Sequence, residues 1–176
     1  MKKTKIQKPF IHYEELKYWE QVTIVIYTAL TLVIVFSPFI LGVSARQNSI
    51  VAYAISTQLF FYGFLYVSLR NFRSYLIWLC FGIIHFIVFL WFRYDVELGI
   101  GMANPSGALA NTFPLLLLFQ LLRMFSIKAQ KREFGVPSKG ARTDWIEGEK
   151  ITGIDFLIFV IYMGIWFLLT VFSLKY

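Results

Sequence analysis

The chain has 176 residues, 58% of them hydrophobic, and a mean hydropathy of +0.64. One soluble core of this size cannot bury that much apolar surface, so a soluble globular domain is excluded and a bilayer must cover the remainder. The formal net charge of +7 raises nucleic acid as a partner, but the basic residues sort by membrane side. That sorting makes an anionic lipid surface the expected partner and argues against nucleic acid.

A helix crossing a hydrocarbon layer about 30 Å thick needs roughly 20 residues. Five runs qualify, so the expected fold class is all-α: a polytopic integral membrane bundle of five transmembrane helices with a cytoplasmic N-terminus. Residues 1–20 precede the first run. In them Phe10, Tyr13, Leu16 and Trp19 recur near one helical face, with the glutamates and Lys17 elsewhere. This pattern predicts a short amphipathic helix lying on the cytoplasmic interface, with His12 at headgroup level.

The first span is expected over 21–43, which carries no charge. Its end, Val43-Ser-Ala45, looks like a cleavage site. The apolar run nevertheless exceeds the roughly 7–15 residues of a signal-peptide core, and aromatic residues separate it from the lysines, so it reads as a span. The second span is expected over 50–69. It places Ala52, Ser56 and Gly63 on one face beside Thr57 and Gln58, and small residues at that spacing predict a close helix contact, within the chain or between protomers. The inside loop that follows holds Arg70 and Arg73, candidate contacts for a headgroup or partner.

The third span, over 75–92, contains Cys80 and His85. A single cysteine has no partner for an intramolecular disulfide, and a small buried apolar role is expected for it. His85 is the one ionisable side chain near mid-span. Its expected role is a neutral ring bonded to a helix carbonyl or to Gln58, Ser56 or Tyr62, with a proton relay, pH gate or metal ligand as the functional alternative. His85, Gln58 and Ser56 therefore form the candidate intramembrane polar site. The outer loop over 93–107, with Asp95, Glu97, Asn104 and three glycines, reads as a flexible connector.

The fourth span, over 108–125, is interrupted by Asn111, Pro114 and Gln120. Arg123 sits near its end, within about 60° of Gln120 around the helix. The cytoplasmic segment 123–151 follows, with seven basic residues against four acidic ones, and breaks at Gly135, Pro137 and Gly140. Its mixed charge, with Trp145 among it, reads as a folded docking surface. Lys131, Arg132, Lys139, Arg142 and Trp145 join Arg70 and Arg73 as candidate partner or headgroup contacts. The fifth span, over 152–174, opens with Thr152-Gly-Ile-Asp155, the pattern of a capping box. Asp155 is expected to cap its helix, with a salt link to Arg123 as the main structural competitor.

Orientation follows from the lysines and arginines. With five spans, fourteen fall on the N-terminal side and only Arg46, Arg93 and Lys175 on the other, which places the N-terminus inside and the C-terminus outside. Chemistry-bearing motifs are absent from the sequence: there is no HExxH, no GxSxG, no P-loop and no paired-cysteine site. No catalytic, cofactor or metal residues are expected. The expected function is a non-enzymatic membrane subunit that assembles through its helices, with copies of itself or within a membrane complex. It would present its basic cytoplasmic segment to a protein partner. An oligomeric pore or small-solute channel is the alternative, and the expected location is a bacterial inner membrane.

Overall fold

The computed structural model describes residues 9–99, 104–138 and 143–173. Helices dominate, and among the described residues only two isolated bridges, Pro137 with Asp144 and Thr143 with Lys150, interrupt them. The elements are α1 (Tyr18–Val35), α2 (Ser37–Ile40), α3 (Val43–Gly63), α4 (Phe72–Phe92), α5 (Gly107–Ala110), α6 (Thr112–Gln130) and α7 (Gly153–Ser173). Among the described residues four stretches are long and apolar enough to cross a membrane: α1, α4, the 24 residues Gly107–Gln130 that α5 and α6 form together, and α7. The chain is an all-helical multipass membrane protein by length and composition.

Several boundaries differ from the sequence expectation, each for a local reason. The amphipathic helix expected before the first span is not formed over Phe10–Lys17, and among the described residues no helix precedes Tyr18. The backbone of that segment pairs instead with the turn before α4. Phe72 N–H donates to His12 O at 3.0 Å, Glu14 N–H donates to the Asn71 side chain at 3.1 Å, and the Asn71 amide returns a bond to Glu14 O at 3.0 Å. These bonds replace the helical ones.

The first apolar run stops at Val35 rather than Val43, because Pro38 has no N–H to offer the Ile34 carbonyl. The short α2 turns the chain, and Gly42 caps α3. That helix therefore takes in Arg46, Gln47 and Asn48, which lowers its apolarity although its 21 residues match the others in length. Pro114 acts the same way further on. It removes the N–H that would bond Ala110, and the helix breaks at Asn111 between α5 and α6.

Side-chain contacts give the order of packing. Thr57 and Tyr53 of α3 meet Tyr27 and Thr31 of α1 respectively, so the two helices run antiparallel. At one end Ser68 donates to the Glu20 carboxylate; at the other the Arg46 guanidinium pairs with Asp95 and lies over the Phe92 ring. The α4–α6 crossing is close at Gly82, where a Cβ would stand 3.2 Å from Leu116 and 3.3 Å from the Phe113 backbone.

An aromatic core joins α3, α4, α6 and α7. Tyr62 stacks on Tyr162 at 4.2 Å, and Phe61 and Tyr27 meet Trp78 edge-on. The outer faces of α1 and α7 are exposed, with Val25, Phe167 and Phe172 uncovered within the chain. Cys80 is also exposed rather than buried, because it falls on the outward side of α4.

Candidate functional site

The chain builds two polar centres, one among the helices and one at the end where the N-terminal segment lies. The first is organised by His85, which α4 points inward among four elements. Its Nε2 lies 3.0 Å from the Tyr27 hydroxyl on α1 and 2.9 Å from the Tyr53 hydroxyl on α3, and its Nδ1 lies 3.0 Å from the Thr112 hydroxyl on α6.

Hydrogen counting assigns directions to these bonds. The Thr31 hydroxyl donates to the Tyr27 carbonyl, so at its 2.6 Å contact with Tyr53 it must accept. Tyr53 has then used its one proton and accepts from an Nε2–H on His85. Tyr27 donates to Thr57 at 3.0 Å, and Thr112 supplies the proton for Nδ1. Every member is satisfied with His85 neutral, which suits a ring 1% exposed between apolar helices.

The expected polar set around His85 is therefore corrected. Gln58 is buried but engaged elsewhere: its amide donates to Ala108 O at 2.7 Å and its carbonyl accepts from the Trp166 indole at 3.1 Å. Ser56 faces outward on α3. The three residues occupy different sides of α3 and α4, and the true partners of His85 are Tyr27, Tyr53 and Thr112. A sequence cue for two of them exists. Tyr27 with Thr31 and Tyr53 with Thr57 are polar pairs four residues apart, each pair on one face of its helix.

The second centre is the cap formed by residues 131–138 and 143–152. Lys131 ends α6 in the left-handed conformation, φ 56°, and reverses the chain. That reversal rules out the competing link between Arg123 and Asp155, a candidate pair in the sequence. Glu133 is brought back onto Arg123, which is fully buried and bonded at 2.7, 2.9 and 3.0 Å, with Phe10 stacked 4.6 Å from its guanidinium. Arg132 is brought onto Asp155. The same carboxylate accepts from Gln130 at 2.7 Å, from Thr152 N–H at 2.9 Å and from Gly135 N–H at 3.2 Å, while Asp155 N–H bonds the Thr152 hydroxyl at 3.2 Å. The capping box read from the sequence is formed, and Asp155 also ties the cap to α7.

Asp144 is the second buried carboxylate of the cap. It accepts from the Tyr66 hydroxyl and from the N–H groups of Val136, Ile146 and Glu147, the last three at 2.7, 2.9 and 2.6 Å. Burial, and then the hydrogen bond to Asp144 and that residue's charge, push the Tyr66 hydroxyl well above its ordinary pKa, so it stays a donor. A side chain at Gly135 would place Cβ 2.7 Å from the Asp144 carboxylate, so a larger residue there would have to displace that carboxylate.

The remaining candidate contacts divide. Arg70 turns inward, donating to Glu147 and to Phe134 O, both at 2.7 Å, and covering the Tyr66 ring. Arg132 also reaches Glu149 at 3.4 Å. Arg73 and Lys131 are exposed. Trp145 is exposed and stands edge-on to Phe64, ring centroids 6.4 Å apart, at the end of α3. Lys139 and Arg142 lie outside the described residues. Between cap and N-terminal segment is a cleft of about 510 Å³, lined by Glu14, Glu15, Glu20, Glu133, Glu147 and Glu149 and by Lys17, Arg70, Lys131 and Arg132, with His12 and Trp19 beside them.

Comparison with protein families, with curated proteins and with solved structures gives no match. The class that the helices define, a multipass membrane protein, is accordingly where the comparisons leave it.

Proposed function

We propose that this chain is a non-enzymatic membrane subunit whose cap and N-terminal segment together receive a charged segment of a cytoplasmic protein. The observation that carries this reading is the cleft between them. Its volume of about 510 Å³ and its charged walls offer a preformed concave surface at the inner end of the bundle. The presented surface is this cleft rather than a bare basic tract, because Arg70, Arg123 and Arg132 are consumed by carboxylates of the cap and of α7.

The proposed topology has five passes, with α3 as the second and the N-terminus on the cytoplasmic side of a bacterial inner membrane. Its support is the antiparallel pairing of α3 with α1 and the fourteen-to-three division of basic residues that five passes produce. Assembly with copies of itself or with other membrane subunits is proposed through the outward face of α7, where Phe167 and Phe172 are exposed. A pore lined by His85 and Gln58 has less support, since both side chains are bonded within the protomer.

The test is site-specific photocross-linking in cells from Glu15 and Lys131 at the cleft, compared with Glu97 at the far end, alongside ion flux from liposomes. The expected result is an adduct of one defined mass from the cleft positions alone. It is lost when the cleft position opposite the probe, Lys131 for the Glu15 probe and Glu15 for the Lys131 probe, is charge-reversed, and flux stays at background. An adduct indifferent to reversal, or a flux that His85→Leu abolishes, would overturn the reading.

A further inference from the structure

A second cavity, of about 330 Å³, opens on the flank of the bundle between α1 and α3, within the size range of about 300–1,000 Å³ typical of small-molecule sites. Its origin is legible in the residues. Thr23 on α1 and Ser56 and Thr57 on α3 are small, while Leu30 and Phe60 at its edges are large. The helices are joined at the floor by Tyr27 and Tyr53, and nothing fills the space above. The tyrosine rings stack at 5.5 Å and 26°, and both hydroxyls turn away to His85. The floor is therefore two fixed aromatic faces.

We infer that this groove binds a neutral, membrane-dissolved lipophile whose head carries one hydrogen-bonding oxygen, the chemistry of a long-chain or isoprenoid alcohol. Three observations on the groove select that class. Its rim is the exposed apolar face of a spanning helix, with Ile26 56% and Leu30 50% exposed, so an occupant arrives through the hydrocarbon. No lining residue is charged, so an ionic head would lose its hydration without gaining a partner. The hydroxyls of Thr23, Thr28 and Thr31 each donate to the carbonyl four residues back, whereas the Ser56 hydroxyl makes no hydrogen bond among the described residues. A hydroxyl left bare in hydrocarbon is costly, and one oxygen on a ligand satisfies it. This site is independent of partner capture by the cap.

The probe is a diazirine-bearing long-chain alcohol added to the full chain in lipid nanodiscs, with unlabelled alcohol as competitor. Saturable, competable labelling of residues 53–60 is expected. Ser56→Leu, which fills the groove, should lower it at least tenfold. Ser56→Ala, which removes only the hydroxyl, should raise the competitor midpoint about fivefold. Thr23→Leu, from the opposite wall, repeats the filling test if Ser56→Leu does not fold to a monodisperse helical species. Labelling that does not saturate and spreads equally over α7 would overturn the proposal. So would labelling by a phospholipid acyl-chain probe that the alcohol cannot displace, or a disulfide between two copies carrying Ser56→Cys, which would give the groove to a neighbouring protomer.

Discussion

The His85 centre and the cap solve the same problem, that of burying polar groups, by opposite means. At the His85 centre six side chains from four helices meet without a formal charge, and direction alone satisfies them. In the cap Arg123, Arg132 and Arg70 are matched against Glu133, Asp155 and Glu147. The difference follows position. Deep among apolar helices an ion costs far more to desolvate than a hydroxyl, while near the interface water and backbone N–H groups share the cost.

The contrast predicts a ranked series of losses. Removing Glu133 leaves the Arg123 charge fully buried and uncompensated, and Glu133→Ala should cost about 3–5 kcal/mol of stability. Unfolding in detergent would measure this, and adding Arg123→Met should recover most of it. A loss unchanged in the double variant would show that Glu133 acts otherwise. Asp155→Asn keeps the shape but removes the charge facing Arg132, for an expected loss of about 1.5–3 kcal/mol. Amide exchange should then accelerate across the described part of residues 131–152 and hardly at all around His85.

His85→Phe takes the acceptor from Thr112 and one donor from Tyr53, which keeps its bond to Thr31, and a loss of about 1–3 kcal/mol is expected. It should leave exchange in the cap unchanged, and a cap that loosens with it would end the view of two separate centres. The smallest effect is expected for Glu149→Ala. That carboxylate is 41% exposed and meets Arg132 at 3.4 Å, so the change should fall within about 1 kcal/mol and shrink further in high salt.

What could be read from the residues in advance follows the range over which each feature is decided. The helices and their membrane character were legible because the bilayer imposes a length and an apolarity on any run that crosses it. The Thr152–Asp155 cap was legible because its bonds lie within one turn. The stop at Val35 was written in Pro38 but masked by the apolar residues around it, so the second helix begins earlier than its hydropathy indicated.

Which charge meets which was decided only in three dimensions. Arg123 and Asp155 lie close in the linear order of the helix ends, yet the reversal at Lys131 hands each to a different neighbour. His85 was recognisable as a polar centre from its depth alone. Its partners Tyr27, Tyr53 and Thr112 lie 58, 32 and 27 residues away. They meet because α1, α3, α4 and α6 pack at one level, and helix packing, unlike hydropathy, is a property of no single segment.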